Sequence, residues 1–247
     1  MNRKMLLIAN PGPPDDPEHY CEGVNVDVQA YLDFFHSPLG GGWYEFEIKV
    51  LKYPSCAKVR SALAELRWAD YSMIVFCGHG YSNQYDETIL ELRKDEELPA
   101  SELRGPCAKR TIILDCCRKK WAPIKEPLME SRAFELSHAK GLSLPEARRF
   151  YEEKIAAADS GLVVMYACAL GEVAGDDSQK GGYYSYSLRR AALEWADQYH
   201  TCADALDVAS AHTRASIYAG GLSADHQHPQ IEKPRTRGTL FPFAVTR

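Results

Sequence analysis

No apolar run in this 247-residue chain approaches the length needed to cross a membrane. The five-residue run in "MNRKMLLIANPG" is also too short for the hydrophobic region of a signal peptide. The expectation is a cytoplasmic protein with no membrane partner. A basic tract is missing as well. The formal net charge is −5, and only "CRKK" (117–120) concentrates cations, so nucleic acid is not an expected partner. The eight cysteines have no framework spacing, and no C-x-x-C pair occurs. That argues against a disulfide scaffold and a structural zinc site, and leaves thiols of which one or two are reactive. There is no internal repeat and no linker. The chain therefore reads as one domain spanning 1–247, and its 45% hydrophobic and 26% charged residues suit a soluble fold with a sizeable core.

What is present alternates. Strands are expected at 4–9, 44–52, 71–77, 111–117, 161–169 and 238–245, from continuous apolar runs or alternating patterns. Helices are expected at 26–37, at 55–69 with Ser55 as cap, at 143–158 with a Ser143/Glu146 capping box, at 184–199 and at 202–219. This order predicts an α/β fold: a mostly parallel six-stranded sheet with helices on both faces, a three-layer sandwich. In such sheets chemistry collects beyond the carboxyl ends of the strands.

Two motifs fall there. "VFCGHGYS" puts His79 just past one strand, between two glycines, and "ILDCCRKK" puts Cys117 just past the next. Strands joined by a short crossover usually lie side by side, so imidazole and thiol would meet. A free thiol has a pKa of about 8.5, so an imidazole that takes its proton generates the nucleophile and later protonates a leaving amine. The glycines allow close approach of a substrate carbonyl. The N–H groups of Gly80 and Cys117 would then form an oxyanion hole. Taken singly, a strand-end cysteine also reads as a small buried hydrophobe, and a histidine in a glycine turn as a turn residue.

With these motifs, the sequence resembles the caspase-like cysteine peptidases, closest to the metacaspase and prokaryotic caspase-homologue branch. The likeness runs from "KMLLIAN" through "EGVNVDVQAYLDFF", "VFCGHG" and "TIILDCC" to "GGYYSYSLRRAA" and "TLFPFAV". The resemblance implies His79 as general acid/base, Cys117 as nucleophile, and Gly80 with Cys117 as the oxyanion hole. It implies an S1 pocket of Asp115, Asp27 and Cys77, whose two carboxylates suit a basic P1 side chain, arginine above lysine. Asp27 fits an N-cap at the start of "VDVQAYL" equally well. The resemblance also divides the chain into a large-subunit-like part (1–118), a connecting segment (119–159) and a small-subunit-like part (160–247). In the connecting segment, Arg132, Lys140, Arg148, Arg149 and Lys154 offer sites for self-processing or for an upstream protease; a solvated surface helix explains the same charges.

The chain departs from the family in places. "RKK" (118–120) replaces the small residues after the nucleophile, and Cys77 stands where relatives have serine. The acidic segment that binds calcium in many metacaspases is reduced to "YSNQYDETIL", with Asp86 and Glu87 remaining. No cofactor is expected, and calcium dependence is argued against. The expected partners are protein or peptide substrates, with an upstream activating protease or regulatory partner. Three alternatives stand: an inactive adaptor on the same fold, a related peptidase with a non-basic P1 preference, and a thiol redox protein using Cys116 and Cys117.

Overall fold

The computed structural model describes residues 1–105, 107–119, 142–198, 203–223, 227–235 and 240–246. Its centre is a six-stranded sheet. Five strands are parallel: β1 (Arg3–Asn10), β2 (Ile48–Lys52), β3 (Tyr71–Gly78), β7 (Lys109–Asp115) and β8 (Gly161–Tyr166). The sixth, β12 (Gln230–Glu232), runs antiparallel beside β8, and the order across the sheet is β12-β8-β7-β3-β1-β2. β1, β3 and β7 are almost wholly buried because both faces are covered.

Alternation along the strands divides the core. Met5, Leu7, Ala9, Val75 and Ile113 point to one face. There they pack on α1 (Gly23–His36), α3 (Leu144–Ala157), α4 (Tyr183–Gln198) and α5 (Val208–Leu222). Leu6, Ile8, Phe76 and Leu114 point to the other face, which is covered by α2 (Cys56–Leu66) and a small sheet of β4 (Gly80–Ser82), β5 (Thr88–Arg93) and β6 (Glu96–Pro99). The small sheet fills the stretch between the two motifs, for which the sequence offers only a shortened acidic loop.

Local chemistry explains the helix starts. The Ser55 side chain accepts a hydrogen bond from the Lys58 amide at 3.2 Å. Ser143 and Glu146 form the expected capping box that opens α3.

Three expectations need correction. The segment 44–52 is a strand only from Ile48. Before it, Glu45–Glu47 forms a short 3-10 turn, because the Glu47 carboxylate turns back to accept from the Tyr44 amide at 2.7 Å. Of the helix expected at 202–219, position 202 lies outside the described residues and 204–207 is not helical. A two-stranded ribbon of β9 (Asp176–Asp177) and β10 (Gly181–Gly182) precedes α4, Asp204–Asp207 is strand β11, and Asp207 starts α5 by accepting from the amides of Ala209 and Ser210. The closing strand, β13 (Pro242–Thr246), lies outside the central sheet and pairs antiparallel with β11; the start of the expected strand, 238–239, lies outside the described residues. Among the described residues, no helix is long and apolar enough to cross a membrane.

Candidate active site

The register of the central strands builds the site. Cys77 on β3 pairs with Asp115 on β7, and Ala9 on β1 pairs with Cys77. Each chain leaves the sheet just beyond that point, so His79, two residues past Cys77, and Cys117, two residues past Asp115, emerge at neighbouring tips. Both line one cleft, whose wall and floor also include Cys21, Asp27, Cys77, Asp115 and Asp176.

His79 is held by a contact the sequence did not announce. Its Nε2 lies 2.7 Å from the carbonyl oxygen of His19. A carbonyl can only accept, so Nε2 carries the proton and Nδ1 is left as the basic nitrogen. The Cys21 sulfur lies 3.6 Å from the same Nε2. The loop that carries His19 and Cys21 is pinned by the Cys21 amide, which donates to the Pro11 carbonyl at 2.7 Å.

Cys117 is half-buried, and its Sγ–H donates to the Ala174 carbonyl at 3.7 Å. Burial pushes its thiol above the ordinary value, and the negative field of Asp115, Glu91 and Asp176 adds to that. Cys116 turns into the core between the sheet and the small sheet, and burial pushes it up much further. The seven described cysteines are all free thiols. Gly80 begins β4, and a side chain there would meet the Cys116 sulfur at 3.0 Å, so glycine lets this backbone lie against the Cys117 loop.

"RKK" does something the sequence reading did not foresee. Arg118 is buried, with Nε on Thr88 Oγ1 at 3.0 Å, Nη1 on the Cys168 carbonyl at 3.2 Å, and its guanidinium 4.1 Å from the Tyr166 ring centroid. Its backbone accepts from Ser82 Oγ at 2.6 Å and donates to the Glu172 carbonyl at 2.9 Å. The residue after the thiol therefore anchors its loop to three elements.

The carboxylates sit deeper. Asp27 lies in the second turn of α1, whose first residue is Gly23, so it is not an N-cap. It is 1% exposed and accepts from the Gly182 amide at 2.8 Å and from Arg189 Nη1 at 3.1 Å. Asp115 is 6% exposed and accepts from the Ser185 amide at 2.9 Å. Burial pushes both carboxyls up, most strongly Asp27, against the opposing pull of Arg189 on Asp27 and of Ser185 on Asp115. A side chain at Gly182 would strike Asp115 Oδ2 at 2.4 Å, which accounts for the "GG" before α4. Burial also keeps the Cys77 thiol well above its usual value, so it contributes surface rather than charge.

Asp176 and Arg189 were missed by the sequence reading. Asp176 accepts from the Gly23 amide at 3.2 Å, at the positive end of α1. The signals, "GDD" after a strand and a charged residue on the buried face of α4, are too common to single them out.

The shortened acidic segment makes a tight turn in which Asn83 Oδ1 accepts from the amides of Tyr85 and Glu87, while the Glu87 carboxylate accepts from Ser101 Oγ. Among the described residues, no three His, Cys, Asp or Glu side chains are grouped to hold a metal ion.

Comparison with known proteins agrees with this architecture. The family model for the caspase domain, a peptidase family, matches residues 3–241. Among solved structures, caspase-1 from Spodoptera frugiperda superposes with a TM-score of 0.63 at 14% identity, over 98% of this chain and 90% of that one. That degree of identity speaks for the fold alone. No curated protein matches the sequence at a significant level. With the family model spanning nearly the whole sequence on a caspase fold, the chain belongs to the caspase-domain family of cysteine peptidases.

Proposed function

We propose that this chain is an endopeptidase that cleaves proteins after basic residues through a Cys117–His79 dyad. The observation that carries the reading is the cleft itself, where a thiol and an imidazole lie above buried carboxylates. The Cys117 proton passes to His79 Nδ1, and the thiolate attacks the carbonyl carbon of the scissile bond. The N–H groups of Gly80 and Cys117 receive the oxyanion. The imidazolium gives its proton to the leaving amine as the C–N bond breaks. A water molecule, deprotonated by the same imidazole, then attacks the thioester, releasing the acid and restoring the thiol.

The pull on a P1 cation comes from Asp115, with Asp27 behind it and Asp176 at the rim. Three carboxylates line the pocket against one guanidinium bound to Asp27, and the resulting negative field repels an acidic P1 residue and draws a basic one. The protein works in the cytoplasm, where its thiols stay reduced, and calcium is not needed.

Processing in the segment 119–159 would regulate the enzyme. Arg132 and Lys140 lie outside the described residues. Arg148, Arg149 and Lys154 lie within α3, so cleavage there requires local unwinding of the helix before the chain can enter a protease cleft in extended form. A regulatory cascade or defence setting, with an upstream protease as partner, is the context that such processing fits.

The test is a panel of fluorogenic peptides with Arg, Lys, Asp, Leu or Asn at P1, with and without calcium. Cleavage is expected after Arg and Lys only. Cys117→Ala removes it, by at least about a thousandfold. Asp115→Ala lowers kcat/KM for basic P1 by about tenfold to a hundredfold. A wild-type preference for Asp or Leu would overturn the basic-P1 reading, and residual cleavage by Cys117→Ala would overturn the dyad.

A further inference from the structure

Arg189 stands on α4, facing the floor of the cleft, and is only 9% exposed. Its Nη1 donates to Asp27 Oδ1 at 3.1 Å, and its Nη2 donates to the Lys180 carbonyl at 3.2 Å. The guanidinium carbon lies 5.1 Å from the Tyr31 ring centroid. Asp27 Oδ2 is meanwhile taken by the Gly182 amide at 2.8 Å. Both oxygens of Asp27 are thus bound from within the protein. Asp115 differs: its Oδ2 accepts from Ser185, and among the described residues no cation stands within ion-pair distance of it.

A guanidinium held by two hydrogen bonds and an aromatic face does not vacate its place without leaving a buried carboxylate unpaired, which is expensive. The P1 side chain therefore meets a pocket in which one carboxylate is already neutralised. Arginine gains over lysine when its fork reaches paired acceptors, whereas a single free oxygen serves an ammonium equally well.

We infer that Arg189 is a specificity-determining residue: by binding Asp27 it withdraws that carboxylate from the substrate, leaving Asp115 as the one carboxylate at the pocket floor to meet the P1 cation, so that arginine and lysine are accepted comparably. This inference rests on the basic-P1 reading above and makes it narrower.

Matched peptides with Arg or Lys at P1 test it, through the ratio of their kcat/KM values. The chains to compare are wild type, Arg189→Met, Arg189→Lys, Asp27→Asn and the Asp27→Asn/Arg189→Met pair. Thermal melting and stoichiometric alkylation of Cys117 establish that each is folded with its thiol intact. The wild-type ratio is expected within about threefold of one, and Arg189→Met should raise it about tenfold by freeing Asp27 for the fork. Arg189→Lys keeps the charge and should stay near wild type. The rise should vanish in the double variant. Asp27→Asn alone should leave the ratio unchanged, which keeps the test decisive if Arg189→Met does not fold. The inference is overturned by an unchanged ratio in folded Arg189→Met, by the same rise in the Asp27→Asn background, or by a tenfold fall in Asp27→Asn. Each of those results leaves basic-P1 cleavage standing. A wild-type enzyme that cuts after neither basic residue sinks both.

Discussion

At the scale of single residues, the site is governed by what surrounds each titratable atom. Cys117 is half-buried among carboxylates, with its hydrogen directed at the Ala174 carbonyl, so the resting thiol is protonated at neutral pH. In the proposed mechanism the ionisation needed for attack therefore comes by transfer to His79 during the reaction rather than from a standing thiolate. Alkylation of Cys117 by iodoacetamide should be slow near pH 7 and climb steeply only above about pH 9. A rate already at its plateau near pH 7 would show a preformed ion pair instead. His79 shows the value of a backbone partner: the His19 carbonyl fixes the tautomer of the ring without adding a charge to the cleft.

At the scale of elements, strand tips and their anchors decide the geometry. β3 and β7 deliver the two motifs in register, and β4–β6 folds back over the second face so that Thr88 and Ser82 can bind Arg118. On the opposite edge the 3-10 turn before β2 is locked by Glu47. Its oxygens accept from Arg148 at 2.7 and 2.8 Å, and Arg3 lies 3.5 Å away. Burial alone would push the Glu47 carboxyl up, but hydrogen bonds from Arg148 and the Tyr44 amide, with the charge of Arg3, hold it below its ordinary value. A carboxyl lowered in the folded state adds stability above its unfolded pKa and loses it as pH falls through the folded one. Glu47→Gln should thus cost about 1–3 kcal/mol at pH 7. The gap between variant and wild type should close as pH falls below about 4. Urea melts at a series of pH values read this directly, and a gap constant down to pH 3 would refute it.

At the scale of the whole molecule, one sheet serves two cores. Leu7 belongs to the helical side and Leu6 to the side of α2 and the small sheet, yet both are residues of β1. Neither core can be lost while the sheet remains intact, so unfolding is cooperative. Leu6→Ala and Leu7→Ala should each cost about 2–5 kcal/mol and leave a single transition, seen alike by far- and near-ultraviolet circular dichroism. Two separated transitions would mean that the layers are independent. The same sharing positions the cleft, because side chains of α1 and the strand tips line it from one continuous core, with Arg189 of α4 held behind Asp27.

Much of this was legible in the sequence, and the reason lies in its periodicities. Unbroken apolar runs such as "MLLIA" and "MIVFC" identify buried parallel strands, and Ser55 and Ser143 mark helix starts, because capping is chemistry within four residues. His79 and Cys117 stood out since a histidine between glycines and a thiol after an acid interrupt strand ends where packing alone would not put them. The strand at 204–207 was hidden by helix-forming alanines and β12 by its shortness, and β13 was legible as a strand but not as the partner of β11, because strand pairing depends on a partner far along the chain. The sequence by itself determined the class of fold and singled out His79 and Cys117, which the fold brings to one cleft. Only the tertiary structure decided that the His19 carbonyl holds the imidazole, that Arg118 anchors the thiol loop, and that Arg189 occupies Asp27 across 162 positions. Those are through-space contacts, and no local period in a chain records which distant side chain a fold will bring to a buried charge.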